Sequence, residues 1–573
     1  MNRVFSFFIC IVFICVSLVL SDVYGQQEPS RLAPPASDTL GERLYRDGLL
    51  PSGKPLIGYI KGDLPAPGNS FTCISCHMRS GLGSVEGSVL TTPPNGRSLY
   101  APRSNPPTLR PGMSAMGVAD KGPPSPQPPP ARPAYTDESL AAALRGGVDP
   151  SGRVWDPVMP RYKLQDDDMA ILISYLKSLS SEFSPGVDAA TLRFATVITD
   201  DLTPDRYQEH LNLLDNFIRR TNERTNHIEN EVRNPRVKRQ LMVSGRVAYR
   251  KLSLSRWMLK GAPETWRSQL EEYYRKEPVF ALIGGVSGTA WKPVHDFCES
   301  NHLPCLFPQT DFPVISETDW YTLYPSKGYY QEGETAARFL NRCDDFPDSG
   351  KILMITRESR EGIMLNDGFR DTWRAFGRAE PFTVRIAEKE FLSPERLALL
   401  VKTEKPDAVV IWDNTALPEA INSLTAPGIE PPNKIIVSSG FLDLKFMELN
   451  DNIRDITYIT YPERLPMDEK LREAYFFGAQ PQGLKKGDGI SKSAKQTYPL
   501  IKVLERALRE MKENFYRDYL LDIISMGKDL DVPLYERMSF GPGQRYASKG
   551  CYIVQLGKGS RPELVKKSNW VIH

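Results

Sequence analysis

The spacing of apolar and polar positions divides the chain into two parts. From residue 37 to residue 185, helical periodicity is confined to the two ends, and the sequence between them is rich in Gly and Pro. Helices are predicted to start after Ser37-Asp38, at Thr136 and at Asp166, where short polar or acidic residues precede apolar positions at helical spacing. From about residue 190, short apolar runs alternate with amphipathic stretches, a pattern typical of βαβ units in parallel sheets.

The apolar runs of the second part predict eight strands: Phe194–Thr199, Lys251–Trp257, Val279–Gly284, Leu303–Phe307, Ile352–Thr356, Ala408–Trp412, Lys434–Ser438 and Ile456–Tyr461. About 380 residues exceed one such sheet, so we expect two similar lobes, a break near residue 325 and a later return of the chain. The predicted fold class is therefore multidomain: a helical domain over 37–185, then a two-lobed α/β domain over 190–573. Residues 123–133 contain seven prolines and are interpreted as an exposed insertion, with an interdomain linker as the alternative.

The first residues have the pattern of a secretory signal. Arg3 precedes an apolar run from Phe5 to Leu20, and small or turn-favouring residues and then Val23-Tyr24-Gly25 follow. We expect residues 1–25 to be a signal peptide, residues 26–36 to be a flexible lead-in, and the protein to be periplasmic. An uncleaved N-terminal anchor is the alternative, and no later stretch is apolar enough to span a bilayer.

Composition narrows the possible partners. Lys and Arg number 72 and Asp and Glu number 70 in 573 residues, so there is no basic excess of the kind that nucleic-acid binding requires. Six cysteines follow the predicted signal, and an oxidising compartment permits disulfides. We predict a disulfide between Cys298 and Cys305, whereas Cys343 and Cys551 could pair or remain thiols.

The most specific motif is C-I-S-C-H, from Cys73 to His77. Two thiols at this spacing followed by His are typical of covalent attachment of one haem c, with His77 on the iron. A redox dithiol is disfavoured because the motif lies in a Gly- and Pro-rich loop. A zinc site is disfavoured because no other His precedes residue 210 and no other Cys lies between Cys15 and Cys298.

The second axial ligand is expected to be a methionine, whose thioether raises the reduction potential. The candidates are Met78, Met113, Met116, Met159 and Met169. Met78 is too close to His77 to reach the opposite face of the haem, and Met169 lies on the predicted last helix.

Residues 38–182 resemble class I monohaem cytochromes c. The resemblance rests on Gly41, Leu44 and Tyr45 in the first helix, on the C-x-x-C-H motif, and on Met159-Pro160 before a helix with Tyr175-Leu176. It implies an all-α domain whose first and last helices cross, with Met159 as axial ligand. The loop from Gly81 to Pro133 is longer than in minimal members. It leaves open the acceptor for the histidine ring and the propionate contacts, for which the candidates are Arg97, Arg110, Trp155 and Tyr162.

Residues 190–573 resemble type I periplasmic binding proteins, especially the branched-chain amino acid group. The resemblance includes the stretches 279–290, 303–307, 333–340, 352–377, 494–508 and 540–545. It implies two α/β lobes that close on a small ligand, such as an amino acid or another carboxylate.

A candidate ligand site follows the strand that ends at Gly284-Gly285. Ser287, Gly288 and Thr289 would place backbone N–H groups and two hydroxyls at a helix N-terminus, which suits a carboxylate. Plain capping of the helix is the alternative. Thr310, Tyr330 and Asp413 follow other strands and are further candidates for the cleft. We find no matched nucleophile, base and orienting group, so catalysis is not expected.

Three functions are compatible with this sequence. The first is a periplasmic cytochrome that carries one electron between redox partners, such as a dehydrogenase or a terminal oxidase chain. Its second domain would then sense a small ligand or dock to a dehydrogenase. The second is the solute-binding receptor of an ABC-type transporter with an appended cytochrome. The third is a haem enzyme, which needs an open iron site and is disfavoured by Met159.

Overall fold

The structure is a computed structural model that describes residues 39–60, 64–87, 89–104, 129–233, 250–413, 417–441, 448–477, 491–541, 543–559 and 563–572. The predicted signal peptide and lead-in, most of the Pro-rich insertion, and the candidates Met113, Met116 and Arg110 lie outside the described residues. Within the described ranges, no helix is both long and apolar enough to cross a membrane.

The described residues of the first part form five α-helices and five short strands. The helices are α1 (Leu40–Arg46), α2 (Ile74–His77), α3 (Gly96–Leu99), α4 (Asp137–Gly146) and α5 (Asp166–Ser178). The strands are β1 (Ile57–Ile60), β2 (Leu64–Pro67), β3 (Ser84–Glu86), β4 (Val89–Thr91) and β5 (Arg161–Tyr162).

The expectation of an all-α first domain was wrong. β1 pairs antiparallel with β2 on one side and with β5 on the other, and β3 pairs with β4 in a separate hairpin. These strands are only two to four residues long. Such short runs carry too few alternating positions to show a strand periodicity in the sequence.

The first and last helices of this domain cross at Gly41. A Cβ atom at Gly41 would lie 2.4 Å from the Cβ of Tyr175, so only glycine permits this approach. The rings of Tyr45 and Tyr175 pack at 5.5 Å, and Leu44, Leu172 and Leu176 are buried beside them. The crossing matches the arrangement that the resemblance implied.

The second part forms two lobes around two separate sheets. In lobe 1 the parallel sheet has the strand order β10-β9-β8-β6-β7. Its elements are β6 (Thr191–Thr199), α6 (Pro204–Val232), β7 (Lys251–Leu259), α7 (Trp266–Lys276), β8 (Ala281–Ile283), α8 (Lys292–Ser300), β9 (Cys305–Leu306) and β10 (Thr322–Leu323).

Lobe 2 has the strand order β12-β11-β13-β14-β15-β16-β17, in which the strands from β12 to β15 are parallel and β16 and β17 are antiparallel. Its first elements are α9 (Tyr329–Arg342), β11 (Ile352–Arg357), α10 (Arg360–Ala375), β12 (Phe382–Ile386), α11 (Pro394–Glu404), β13 (Ala408–Trp412), α12 (Leu417–Asn422), β14 (Lys434–Ser438), α13 (Asp451–Arg454) and β15 (Thr457–Tyr461).

The chain returns to lobe 1 before it completes lobe 2. After α14 (Pro466–Phe477), α15 (Lys492–Met511) and α16 (Arg517–Ser525) pack into the core of lobe 1, with Leu500, Leu504 and Leu520 fully or almost fully buried. The final strands β16 (Gly550–Leu556), β17 (Leu564–Lys566) and β18 (Val571–Ile572) then join lobe 2.

All eight predicted strands are present, and Ala408–Trp412 and Lys434–Ser438 have the predicted bounds. Every residue of β8, β13 and β14 is buried, as expected for parallel strands covered on both faces. The strands that were not predicted are β10, β12, β16, β17 and β18. β10 and β18 have only two residues, and β12 is a partly exposed edge strand.

Candidate functional site

The C-x-x-C-H motif forms the single helical turn α2 and the residue before it. The backbone N–H of Cys73 donates to the carbonyl of Tyr45 at 3.2 Å, which attaches the motif to α1. The Cys73 thiol is half-buried and the Cys76 thiol is exposed. The two sulfurs are therefore held one turn apart at the edge of the domain core.

The imidazole of His77 is oriented by one hydrogen bond. Its Nδ1 lies 2.9 Å from the carbonyl oxygen of Thr92 and donates to it, since a carbonyl can only accept. Burial lowers the pKa of His77 although the bond to Thr92 raises it, so the ring is neutral at pH 7. A neutral imidazole with its Nδ1 engaged presents Nε2 as a metal ligand. The sequence left this acceptor open, and no motif marks Thr92.

Met159 lies beside the same core as the motif. Its half-buried side chain packs against the cluster that also contacts Cys73, Ile74 and Trp155. The guanidinium of Arg161 donates to the carbonyls of Met159 and Trp155, the latter at 3.0 Å. Arg161 therefore fixes the methionine loop, a role that the sequence did not show.

The other described methionines of this domain fit an axial role less well. Met169 is only 2% exposed and packs with Leu172 in the helical core. Met78 follows His77 directly and is also buried. Of the described candidates for propionate contacts, Arg97 is exposed on α3, Trp155 is half-buried, and Tyr162 is buried and hydrogen-bonded to the Cys73 thiol.

These residues fit a covalently bound haem. The domain has two thiols and an imidazole with its Nε2 available in one helical turn, and a half-buried thioether packed against the same core. Among the residues that the structure describes, no three or more His, Cys, Asp or Glu side chains group as a site for a bare metal ion. The donor set therefore suits haem iron rather than zinc.

The candidate anion site after β8 differs from the prediction. α8 begins at Lys292 with Trp291 as its N-cap, so neither Ser287 nor Thr289 caps it. The Ser287 hydroxyl instead accepts from the N–H of Thr289 at 3.2 Å. A Cβ atom at Gly288 would lie 2.8 Å from a carboxylate oxygen of Asp201. The expected helix N-terminus was therefore wrong, and the nearby negative charge disfavours a bound carboxylate.

Two other candidates make local hydrogen bonds. The Tyr330 hydroxyl donates to Asp371 on α10 at 2.9 Å, and the Thr310 hydroxyl accepts from the N–H of Phe312 at 3.1 Å. Tyr329, the residue before Tyr330, packs against Phe312 of lobe 1 and Phe441 of lobe 2. Tyr329 therefore lies between the lobes, whereas the Tyr330 hydroxyl is bonded to Asp371 of lobe 2.

Asp413 has a structural partner. Its carboxylate accepts from the Arg357 guanidinium at 2.7 and 3.1 Å, and its side chain is completely buried. Arg357 also donates to the carbonyls of Ala387, Glu388 and Glu390. This corrects the expectation that Asp413 lines the cleft: it joins the ends of β11 and β13 to the loop after β12.

Replacing Asp413 with Ala is expected to lower the free energy of unfolding by about 3–5 kcal/mol, because it leaves the buried Arg357 charge without its partner. The measurement is chemical denaturation of the full chain. Asp348→Ala is the matched control, since Asp348 is 96% exposed and its pair with Arg378 contributes at most about 1 kcal/mol. Unchanged stability together with weaker ligand binding would contradict this structural role and show that Asp413 binds the ligand.

Lys492 and Glu463, which the sequence did not indicate, lie between the lobes. Lys492 Nζ, at the start of α15, is 3.3 Å from Glu463, which follows β15. Desolvation lowers the pKa of Lys492, but Glu463, Asp311 and Tyr535 raise it above its ordinary value. The Lys492 side chain is nevertheless 59% exposed, so it reaches solvent and does not belong to the core.

In the structure Cys298 and Cys305, the predicted disulfide pair, are both thiols. Cys298 and Cys305 are fully buried, adjacent, hydrogen-bonded thiols in the core of lobe 1. Burial, with a contribution from Cys305, raises the pKa of Cys298 well above its ordinary value and keeps it protonated. A protonated, buried thiol is a poor nucleophile for disulfide formation. Cys343 and Cys551 are also thiols.

Residues 69–180 match the family model of Cytochrome c, so this part of the chain is a cytochrome c domain. A comparison with curated proteins gives no match.

The remainder of the chain is similar to solved periplasmic binding proteins of type I. An ABC transporter substrate-binding protein from Sphaerobacter thermophilus is 13% identical, with 67% of this chain and 98% of that chain covered and a TM-score of 0.44. A periplasmic binding protein type 1 from Bordetella pertussis Tohama I is 13% identical, with 66% and 100% covered and a TM-score of 0.42. A branched-chain amino acid ABC transporter from Thermus thermophilus with bound valine is 10% identical, with 68% and 97% covered and a TM-score of 0.42.

Proposed function

We propose that this protein is a one-electron carrier that acts outside the cytoplasm. Cys73 and Cys76 would hold one haem c covalently, and His77 and Met159 would be the ligands of its iron. The observation that supports this best is the hydrogen bond from His77 Nδ1 to Thr92, which orients the ring and leaves Nε2 for iron. When bound, the haem supplies reversible one-electron chemistry at its iron.

The residues of the chain keep this site in one geometry. Thr92 fixes the plane of the imidazole, and Arg161 fixes the loop that carries Met159. Met159 would supply a thioether that favours reduced iron, and together with His77 it would leave no place on the iron for a substrate. Electron transfer then requires no bond to be made, so we propose a carrier and not an enzyme. Its redox partners would be a periplasmic dehydrogenase or a terminal oxidase chain.

The α/β region is proposed to bind a small polar ligand between its lobes. Lys492 and Asp311 from lobe 1 and Tyr329 from lobe 2 lie close together there, with Glu463 beside Lys492. Such a mixture of charges and rings suits a small molecule that carries an amino or a carboxylate group. Docking of this region to a dehydrogenase is the remaining alternative.

A transport receptor with a merely appended cytochrome is less well supported. Arg46 of the cytochrome domain pairs with Asp518 of α16 at 2.8 Å, and the backbone N–H of Ser80 donates to Asp522 at 2.9 Å. The Ser184 hydroxyl, between the two regions, accepts from the N–H of Arg517 at 3.0 Å. The cytochrome is therefore packed against lobe 1 through buried polar contacts.

A redox titration of the full-length holoprotein tests the carrier function. We expect a reversible transition with the slope of a one-electron couple and no binding of carbon monoxide to the reduced protein. Carbon monoxide binding would show an open iron position and would favour a haem enzyme.

Thermal stabilisation of the full chain tests ligand binding. A ligand at 100 times its Kd is expected to add about 2.7 kcal/mol to the stability of the α/β region. The probes are amino acids, organic acids, alcohols and aromatic compounds, with Lys492→Met as the variant that should weaken a genuine hit. No stabilisation across this panel would contradict ligand binding and favour docking.

A further inference from the structure

The haem-binding segment is followed directly by the contact with the α/β region. Arg79 and Ser80 come two and three residues after His77. The Arg79 Nε atom lies 3.8 Å from Asp518, and the N–H of Ser80 donates to Asp522. Between these residues and the motif, the carbonyl of Met78 accepts from the Tyr45 hydroxyl at 2.8 Å. Two carboxylates of lobe 1 are thus in contact with the same short segment that carries the iron ligand.

These carboxylates are held rigidly. They lie four residues apart on α16, whose first residue, Arg517, is anchored in lobe 1. The Arg517 guanidinium donates to the carbonyls of Val279, Phe280, Asn301 and His302. The position of both carboxylates relative to the cytochrome domain is therefore set by the core of lobe 1.

Some guanidinium nitrogen atoms at this interface have no hydrogen-bond acceptor among the described residues. Arg46, Arg79 and Arg545 interact electrostatically with one or both aspartates. The guanidinium carbons of Arg79 and Arg545 lie 4.3 and 3.9 Å from the centre of the Trp320 ring. Buried nitrogen atoms of all three arginines have no hydrogen-bond partner among the described residues. Because these side chains are largely buried, each carboxylate has a large effect on the electrostatic potential around it.

We propose that the α/β region sets the reduction potential of the haem through Asp518 and Asp522. Oxidised iron carries one more positive charge than reduced iron, so negative charge beside the His77–Ser80 segment stabilises the oxidised state and lowers the potential. This inference rests on the proposed carrier function and assigns a second role to lobe 1. Asp518 and Asp522 act as positioning residues, because they touch the segment that holds the iron ligand and not the haem.

The two aspartates differ in protonation. Burial would raise the pKa of Asp518, but Arg46 and Arg79 lower it below its ordinary value, so this group stays ionised. Burial, and next the charge of Asp518, raises the pKa of Asp522 to about 6, against hydrogen bonds from Ser80 and the charge of Arg79 that lower it. The other ionisable groups that face Asp522 are Tyr45 of α1, Tyr519 of α16 and Arg545.

The test is a spectroelectrochemical titration of full-length holoprotein variants. Asp518→Asn is expected to shift the equilibrium towards reduced haem about tenfold, which is ~59 mV for one electron. Asp518→Glu retains the charge and should restore a potential near that of the wild type. Asp348→Asn, an equal charge change on the exposed surface of lobe 2, should have no effect. A similar rise of the reduction potential in Asp518→Asn and Asp518→Glu would show that the contact between the two domains is lost. That result would overturn the proposed effect of the charge.

Measuring the reduction potential as a function of pH distinguishes titration of Asp522 from a structural effect of its replacement. Oxidation of the iron lowers the pKa of a nearby carboxyl, so a proton leaves with the electron and the potential falls as pH rises from 5 to 7. The dependence of the reduction potential on pH should be weaker in Asp522→Asn. The part that remains would come from the haem propionates, which titrate in both proteins. An unchanged slope together with an unchanged potential in both Asn variants would overturn the proposal. Covalent haem is verified first by mass, since its absence would contradict the carrier function instead.

Discussion

The double replacement Cys73→Ser and Cys76→Ser is expected to abolish covalent haem attachment. The two sulfurs one turn apart are the groups that would form the thioether bonds, and no other described cysteine lies in the cytochrome domain. The first domain is small and its motif edge is exposed, so a non-covalent haem would be poorly retained. The measurement is the mass of the purified chain, together with haem staining after denaturation.

Cys343→Ser is the matched control, because Cys343 is a half-buried thiol in lobe 2, remote from the motif. It should retain one haem per chain. A double variant that still carries covalent haem would contradict the assignment of Cys73 and Cys76. A control that loses it would show that the loss reflects misfolding rather than the missing thiols.

Replacing Met159 with Ala is expected to open the second axial position. The weak far-red band of sulfur-to-iron ligation should disappear from the oxidised spectrum, carbon monoxide should bind the reduced protein, and the potential should fall. The physical reason is that the thioether favours reduced iron, and that Met159 is half-buried at the domain core whereas Met78 and Met169 are buried. Visible spectra and redox titration of the full chain provide the measurement.

Met169→Leu is the control for this experiment. Met169 is a buried methionine on α5, and a volume-conserving exchange should cost less than about 1.5 kcal/mol and leave the ligation intact. If the far-red band persists in Met159→Ala and disappears in Met169→Leu, the axial ligand has been assigned to the wrong residue.

In the proposed function, the interface around Asp518 would connect the α/β region with the haem. Asp518 contacts Arg79, two residues after His77, and its helix α16 is bonded through Arg517 to the carbonyls of Val279 and Phe280. If lobe 1 changes when the proposed ligand binds, α16 would provide a physical route to the haem. The ligand screen and the redox titrations address the two ends of this route separately.

Features that are contiguous in the sequence could be predicted. The haem motif spans five consecutive residues, and its chemistry depends only on that spacing. The central parallel strands are buried on both faces, so each appears as an uninterrupted apolar run, and Ala408–Trp412 has the predicted bounds. The crossing of α1 and α5 at Gly41 was also expected from the resemblance.

The remaining features depend on contacts between distant residues, which leave no local pattern. The acceptor for His77 is a backbone carbonyl, so any residue could provide it. Tyr329 and Tyr330 are adjacent, and only the rotation of α9 decides which one faces the other lobe. The sequence predicted Asp413 in the cleft, but its carboxylate is buried in a salt bridge with Arg357, which is far away in the sequence.

The sequence by itself therefore determined that this protein has a covalent haem site and an α/β region, since both are written in short stretches of the chain. Only the tertiary structure decided what surrounds the haem segment. Arg46 and Asp518 are 472 residues apart, and they meet because the chain returns to lobe 1 after forming most of lobe 2. No periodicity or motif encodes such a contact, because it results from the packing of two domains that fold around separate cores.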